Sequence, residues 1–429
     1  MVKAIQIGLL GFGTVGTGVV RIIQGHQDHL HRQSGSSIAI KSILVKNLEK
    51  SRAVDVGNAQ LTLDPWSIIN DPEINVIVEV TGGVNPTKEW ILAAIKNGKH
   101  VVTANKDLMA MHGNELLAEA ARNKCDIYYE ASVGGGIPII RALMDSFTSD
   151  KITKIMGIVN GTTNYMLTKM AQEGASYKDV LAEAQALGYA ESDPTADVDG
   201  LDAARKMTIL ARLGFLTDVA LEDVRSKGIR DVTQEEMKYA SKLGYTIKLV
   251  GIAERQGDKI NVSVQPTMMK NSHPLSSVNG VFNAVYVYGE AVGETMFYGP
   301  GAGELPTATS VVSDLVQVVK NLKLGVNGLT SDSHYKEKKV LSEAEQFSKT
   351  FIVLRVHDRA GVLAQITNLL AGHEVSLESI IQSPLQGEQG SELCMITHRS
   401  SKASLDGVLS KLNEMEVVRS IDSVYRVEG

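Results

Sequence analysis

The segment 188–206 reads GYAESDPTADVDGLDAARK and holds five carboxylates, Glu191, Asp193, Asp197, Asp199 and Asp202, closed by Arg205 and Lys206. From Leu201 the apolar spacing is helical, through Ala204, Met207, Leu210 and Ala211, so Asp202 and Lys206 fall at i and i+4 on one face. An acid and an amine side by side can pass a proton to or from an alcohol oxygen, provided burial or a nearby cation brings the lysine towards neutrality. Lys106, which follows a strand-like run in VVTANKDLM, is a candidate for that second cation. The plain structural alternatives are an exposed helix ion pair of little energetic worth and an ordinary surface lysine. A metal site is a further way to read five acids, although the Asp193-Pro194 turn and Gly200 break the run.

Proton transfer at an alcohol carbon needs a hydride partner, and the N-terminus offers a place for one. KAIQIGLL, residues 3–10, is an apolar run of strand length, followed by Gly11-Phe12-Gly13-Thr14-Val15-Gly16 and a helical pattern over Thr17–Gln24. This is the strand, glycine turn and helix of a dinucleotide fingerprint. Gly11 permits the turn, Gly13 the approach of a pyrophosphate, and Gly16 the packing of helix on strand. Strand-like runs recur at Ile38–Val45, Val76–Val80, His100–Thr103 and Ile127–Tyr129, with helical patterns such as PTKEWILAAIKNG between them. Alternation of this kind predicts a doubly wound parallel sheet of Rossmann type. Its ligands lie beyond the carboxyl ends of the strands, where EVTGG places Thr81 and VVTANK places Thr103 and Lys106. The second strand ends in Val45-Lys46-Asn47 with no terminal acid; Glu49 is near, but so are Lys50 and Arg52. That pattern favours the 2′-phosphate of NADP(H), with NAD(H) as the alternative.

The bulk numbers fit such a protein. A chain of 429 residues exceeds one compact domain, and 43% hydrophobic with 21% charged residues is ordinary for a globular protein. A formal net charge of −6 without a long basic run argues against a nucleic-acid surface. Two distant cysteines, Cys125 and Cys394, argue against a disulfide framework or zinc site and fit a reducing compartment. The N-terminal apolar run is broken by five glycines and reads as folded structure, not as a leader. No run approaches the roughly 18 apolar residues of a membrane span, so no membrane association and a cytoplasmic location are expected.

After Glu130 the texture changes. EASVGGGIPI carries Gly134–Gly136 and Pro138, which suggest a crossing into a second domain and expose carbonyls suited to a hard cation; a hinge without an ion is the alternative. A strand-like run, Ile152–Val159, then ends in Asn160-Gly161-Thr162-Thr163-Asn164, small polar residues well placed to hold a polar ligand. A helix from about Ser176 to Leu187 stops at Gly188 and leads into the acidic segment.

Taken together, GLLGFGTVGTGV, VTANKDL, EASVGGGIPI, NGTTNYM, GYAESDPTADVDGLDAARK and GPGAGELPTA resemble homoserine dehydrogenase, in order from residue 1 to about 340. The resemblance implies reduction of L-aspartate 4-semialdehyde to L-homoserine with a nicotinamide cofactor, on the route to threonine and methionine. It implies Lys206 as proton carrier, with Asp202 beside it at the substrate hydroxyl and Lys106 between cofactor and substrate. Glu191 and Asp197 would line the substrate pocket, and Gly188 and Gly303 would lie near the cofactor. Glu130, Val133, Gly135 and Ile137 would hold a structural monovalent ion, sodium or potassium, chiefly through carbonyls. The expected layout is a nucleotide domain over 1–130, completed by about 305–340, and an α+β substrate and dimerisation domain over 131–304. A homodimer or homotetramer is expected.

Residues 330–349 are polar and read as a linker. Beyond them the order strand 351–357, helix from Gly361, strands 375–382 and 391–398, helix from Ser401, strand 416–426 is βαββαβ. VHDRAGVLAQITNLLAGHEVSLESI resembles an ACT domain, a ferredoxin-like regulatory module, here over 350–429. The resemblance implies an amino-acid effector, and threonine is the expected one, near Asp358–Val362. A purely oligomerising module is the alternative. For the whole chain the competing class is a non-catalytic amino-acid sensor, which would not need the Asp202–Lys206 pair.

Overall fold

The computed structural model describes residues 4–328, 338–385 and 389–429. The first part of the chain runs β1 (Ile5–Leu10), α1 (Thr14–Gly25), α2 (Gln27–Ser34), β2 (Ile38–Leu44), β3 (Gln60–Thr62), α3 (Pro65–Ile69), β4 (Val76–Glu79), α4 (Thr87–Lys96), β5 (His100–Thr103), α5 (Lys106–Arg122) and β6 (Ile127–Tyr128). Its six strands are parallel, in the order β3-β2-β1-β4-β5-β6, the doubly wound order of a Rossmann-type sheet. Ile7, Leu9, Leu10, Val76, Ile77 and Val78 are fully buried, which is why the central strands read as continuous apolar runs. Helix α1 begins at Thr14, three residues before Thr17; its first turn carries Val15 against the core and the buried Gly16, and its later turns bury Val19, Val20 and Ile23.

The chain continues through α6 (Ile139–Arg141), β7 (Ile152–Ile158), α7 (Gly161–Glu173), α8 (Tyr177–Ala186), α9 (Thr195–Val198), α10 (Leu201–Phe215), β8 (Val224–Ser226), α11 (Gln234–Lys242), β9 (Tyr245–Gln256), β10 (Lys259–Lys270), β11 (Phe282–Gly289), β12 (Gly293–Pro300) and α12 (Glu304–Leu324). The protein divides into two compact units: Met1–Gly161, Asp202–Val224 and Val281–Lys338 form one, and Thr162–Leu201, Arg225–Gly280 and Lys339–Gly429 the other. In the first unit β11 pairs antiparallel with both β7 and β12. Helix α12 lies against α1, and the contact depends on Gly18: a Cβ there would stand 2.8 Å from Ala308 Cβ and 2.6 Å from the Glu304 carbonyl. The Gly134–Gly136 segment stays within the first unit.

In the second unit β9 and β10, twelve residues each, form a hairpin turning at Gly257, whose φ is +60°. The C-terminal module follows: β13 (Phe347–Val356), α13 (Val362–Gly372), β14 (Leu377–Pro384), β15 (Ser391–Thr397), the two-residue β16 (Ser400–Ser401), α14 (Lys402–Glu414) and β17 (Val418–Glu428). Strands β14, β15, β13 and β17 pair antiparallel in that order, with a core of Ile352, Leu354, Ile366, Leu370, Val408 and Leu412. Strand β17 also pairs in parallel with β10, Thr267 opposite Arg426.

Of the expected linker 330–349, residues 330–337 lie outside the described residues. The rest is not a free tether. Leu341 N–H donates to the Ile260 carbonyl, Ile260 N–H donates to Lys339, and β13 has already begun at Phe347. Leu341 is buried, which the polar composition around it conceals.

Candidate active site

The glycine turn is built as its spacing demands. Gly11 has φ +106°, and a Cβ on it would meet Val80 O and Thr81 Cγ2 at 3.0 Å. A Cβ on Gly16 would sit 2.3 Å from the Gly11 carbonyl, so helix and turn can touch only through glycine. Gly13 differs: a Cβ there meets no protein atom within 4 Å. It is the N-cap of α1 and offers no side-chain cap to the first-turn N–H groups. Glycine here leaves a cradle for an outside group, and the exposed N–H groups at a helix N-terminus suit a pyrophosphate.

The strand ends beside it are organised by a residue that sequence reasoning passed over. Glu79, at the end of β4, is fully buried. Its Oε1 accepts from Thr81 N–H at 2.7 Å, Thr81 Oγ1 at 2.7 Å and Gly82 N–H at 3.1 Å. Its Oε2 accepts from Thr103 Oγ1 at 2.6 Å. Thr103 Oγ1 in turn accepts from Asn105 N–H, and Asn105 caps α5 through Leu108 N–H while its amide donates to the Gly83 carbonyl at 2.6 Å. One carboxylate thus sets both loops and the start of α5, whose first residue is Lys106. The signal was a lone acid inside the apolar run VIVEV.

At the end of β2, Lys46 is exposed. Arg52 is better fixed. Its guanidinium donates to the carbonyls of Asn47, Leu48 and Lys50 and lies 5.7 Å from the Phe12 ring centroid, beside the fingerprint.

Lys106, Asp202 and Lys206 come together. Lys106 Nζ lies 2.7 Å from Asp202 Oδ1, and Lys206 Nζ lies 2.7 Å from Asp202 Oδ2. Lys206 also donates to the Val159 carbonyl at 2.7 Å, and Asn160 Nδ2 donates to Asp202 Oδ2 at 2.9 Å. The helical spacing of α10 supplies Asp202 and Lys206, the end of β7 supplies Val159 and Asn160, and the start of α5 supplies Lys106. Asp202 is 4% exposed and Lys206 9%, so this is no solvated helix pair. Burial works against the Asp202 charge, but the flanking Lys206 and Lys106 outweigh it and hold the carboxyl well below the usual range. The group is an ionised acid clasped by two amines, one of which, Lys106, reaches solvent with 38% of its side chain exposed.

The other acids of the opening segment part company. Asp193 Oδ1 accepts from Thr195 N–H at the start of α9, and Asp199 pairs with Arg230. Glu191 is exposed on the loop after α8, and Asp197 is half-buried on α9. Gly188 (φ +75°) ends α8, its N–H donating to the Gln185 carbonyl. These residues belong to the second unit. Gly303 (φ +123°) is the N-cap of α12 in the first.

In the glycine loop, Glu130 is buried and its carboxylate caps α6, accepting from Ile140 N–H at 2.7 Å and Arg141 N–H at 2.8 Å. Its own N–H donates to Asp314, which pairs with Arg141. Burial pushes the Glu130 carboxyl upward, and it pushes Asp314 up to about 7 against the opposing pull of Arg141. Among the carbonyls, Gly135 accepts from Ser310 Oγ at 2.6 Å and Ile137 from Ile139 N–H at 2.9 Å. Among the described residues no group of three or more His, Cys, Asp or Glu side chains is gathered for a metal.

A dinucleotide cradle on the parallel sheet and a buried amine–acid–amine cluster drawn from α5, α10 and the end of β7 define a nicotinamide-dependent oxidoreductase. Residues 138–316 match the sequence profile of homoserine dehydrogenase, 11–130 that of the homoserine dehydrogenase NAD-binding domain, and 350–417 that of the ACT domain. The homoserine dehydrogenase of Bacillus subtilis is 56% identical over 428 residues, covering 100% of this chain and 99% of its own. The chain belongs to the homoserine dehydrogenase family. A crystal structure of a homoserine dehydrogenase from Thiobacillus denitrificans superposes with a TM-score of 0.94 at 39% identity, covering 99% of this chain and 98% of that one. A hyperthermophilic archaeal homoserine dehydrogenase in complex with NADPH gives 0.64 at 28% identity, covering 75% and 98%. Among the described residues no helix is long and apolar enough to cross a membrane.

Proposed function

We propose that this protein reduces L-aspartate 4-semialdehyde to L-homoserine, with NADPH preferred over NADH, and that Lys206 delivers the proton. The observation that carries the reading is the Lys106–Asp202–Lys206 cluster, with its central acid and Lys206 withdrawn from water. When bound, the cofactor supplies the hydride to the aldehyde carbon. Gly11, Phe12, Gly13, Thr14, Val15 and Gly16 cradle its pyrophosphate, and Thr81, Thr103 and Lys106 line the strand ends towards the nicotinamide. Lys206 gives its proton to the oxygen that becomes the hydroxyl. Asp202 keeps both amines in place and balances their charge, so that the proton moves within a fixed hydrogen-bonded group. Two of the three Lys206 donors are committed to Asp202 and Val159, which leaves the third direction for substrate. Glu191 and Asp197 complement the substrate ammonium. Gly188 and Gly303 adjoin the cofactor.

NADPH preference rests on Arg52 and Lys46 beyond the end of β2, where the strand itself ends without an acid and Glu49 stands among these cations. Initial rates with aspartate semialdehyde and each cofactor test both parts: turnover with NADPH and a lower kcat/KM with NADH are expected, and absence of turnover with either refutes the substrate.

A structural sodium or potassium ion fits the glycine loop only through main-chain carbonyls of Glu130, Val133, Gly135 and Ile137, because the Glu130 carboxylate is committed to α6. Its check is a higher Tm in sodium or potassium chloride than in choline chloride at equal ionic strength. The half-exposed edge strand β12, with Tyr298 stacked on Phe282, supports a homodimer or homotetramer, read by solution mass measurement. Threonine is the proposed effector of the C-terminal module, at the exposed loop of Asp358. Removal of that module is a poor test, since β17 completes the sheet beside β10. Asp358→Ala in the full chain, assayed with and without threonine, is the better one, with loss of inhibition at unchanged basal rate expected.

A further inference from the structure

The neighbours of the cluster residues form a second set of contacts between the same two helices. Asp107, next to Lys106, lies within 2.6 Å of the Nε of Arg205, next to Lys206. Further along, Arg212 of α10 is 8% exposed and reaches across to α5. Its Nη1 donates to the Met109 carbonyl at 2.9 Å and its Nη2 to the Ala110 carbonyl at 2.8 Å, while Nε donates to Val219 at 2.6 Å. Its guanidinium lies over Gly113 of α5, where a Cβ would stand in ordinary contact, 3.5 Å from Nη1.

We propose that Arg205, Asp107 and Arg212 are positioning residues for the reaction: they fix α5 against α10 so that Lys106 and Lys206 converge on the two oxygens of Asp202. The need is electrostatic. Two ammonium groups held at one carboxylate repel each other, and Lys106, more than a third exposed, is the less enclosed of the two. The Asp107–Arg205 pair is partly exposed and worth little to global stability, which separates a positioning role from a folding role. Arg212 is the deeper anchor, since a guanidinium with fixed donors can hold two successive helix carbonyls where a lysine could not.

The inference rests on the assignment of Lys106, Asp202 and Lys206 to the reaction, and the experiment keeps the two apart. Asp107→Leu, Arg205→Leu, Arg205→Lys and the exchange Asp107→Arg with Arg205→Asp are compared with wild type for kcat, KM, NADPH affinity by fluorescence, and Tm. The leucine variants are expected to lose kcat by about 10- to 100-fold, the scale of a displaced catalytic group, at unchanged Tm and NADPH affinity. Arg205→Lys and the exchange are expected to recover most of it. Wild-type kcat in both leucine variants, or a loss that follows Tm and is not recovered by the exchange, overturns the proposal. Should Lys106→Ala and Lys206→Ala also keep the wild-type rate, it is the assignment of the cluster that has failed.

Discussion

Glu79 Oε2 accepts from Thr103 Oγ1 at 2.6 Å, joining the ends of two adjacent parallel strands from inside the protein. All four donors to this carboxylate are uncharged groups of the loops that face the cofactor cradle. Four donors converge on one buried side chain, and together they order the two loops.

Glu79→Gln puts an amide NH₂ where only acceptors fit. The variant is expected to lose about 1–3 kcal/mol of stability, the cost of an unsatisfied buried group, and to raise KM for NADPH more than it lowers kcat. Urea unfolding and initial rates check it; unchanged stability together with unchanged KM contradicts it.

Arg52→Ala is expected to lower kcat/KM for NADPH about tenfold more than for NADH, the equivalent of one charge-assisted contact. Lys46→Ala is expected to do less, because Lys46 is not held in place as Arg52 is. An equal effect of Arg52→Ala on both cofactors would refute 2′-phosphate recognition.

Lys248 is buried on β9 and donates to the Val278 carbonyl at 2.6 Å, Asn279 Oδ1 at 2.9 Å and Asn164 Oδ1 at 3.2 Å. Burial brings its pKa down to about 8. The unfolded chain therefore holds this proton between pH 8 and about 10.4 while the folded chain has released it, so stability rises with pH across that window. Below pH 8 the penalty is fully present. Lys248→Met removes this slope: its stability relative to wild type is expected to fall by about 3 kcal/mol from pH 8 to 10.5. Parallel stability curves for the two proteins would show that Lys248 does not titrate there.

What was legible in the sequence was local. The fingerprint glycines, the i, i+4 spacing of Asp202 and Lys206 and the βαββαβ order each depend on neighbours a few residues apart. Glu79 and Lys248 sit in the apolar runs VIVEV and IKLVGIA; Glu79 has near donors in Thr81 and Gly82, but its Thr103 partner and all the Lys248 partners are distant, so the runs themselves do not explain them. Helix α2 was missed because QDHLHRQS carries one apolar residue and no periodicity. The β9–β10 hairpin carries a local signal, the Gly257-Asp258 turn between two strand-length runs. Asn160 was visible as a small polar residue after a strand, but its bond to Asp202 needed the fold to bring β7 against α10.

The central claim is that Lys206 carries the proton. NADPH oxidation with aspartate semialdehyde, measured at saturating substrate for wild type and Lys206→Ala, tests it most directly. A loss in kcat of at least about 100-fold, with Tm and NADPH affinity retained, is the predicted result. A folded Lys206→Ala protein with kcat close to wild type would contradict it.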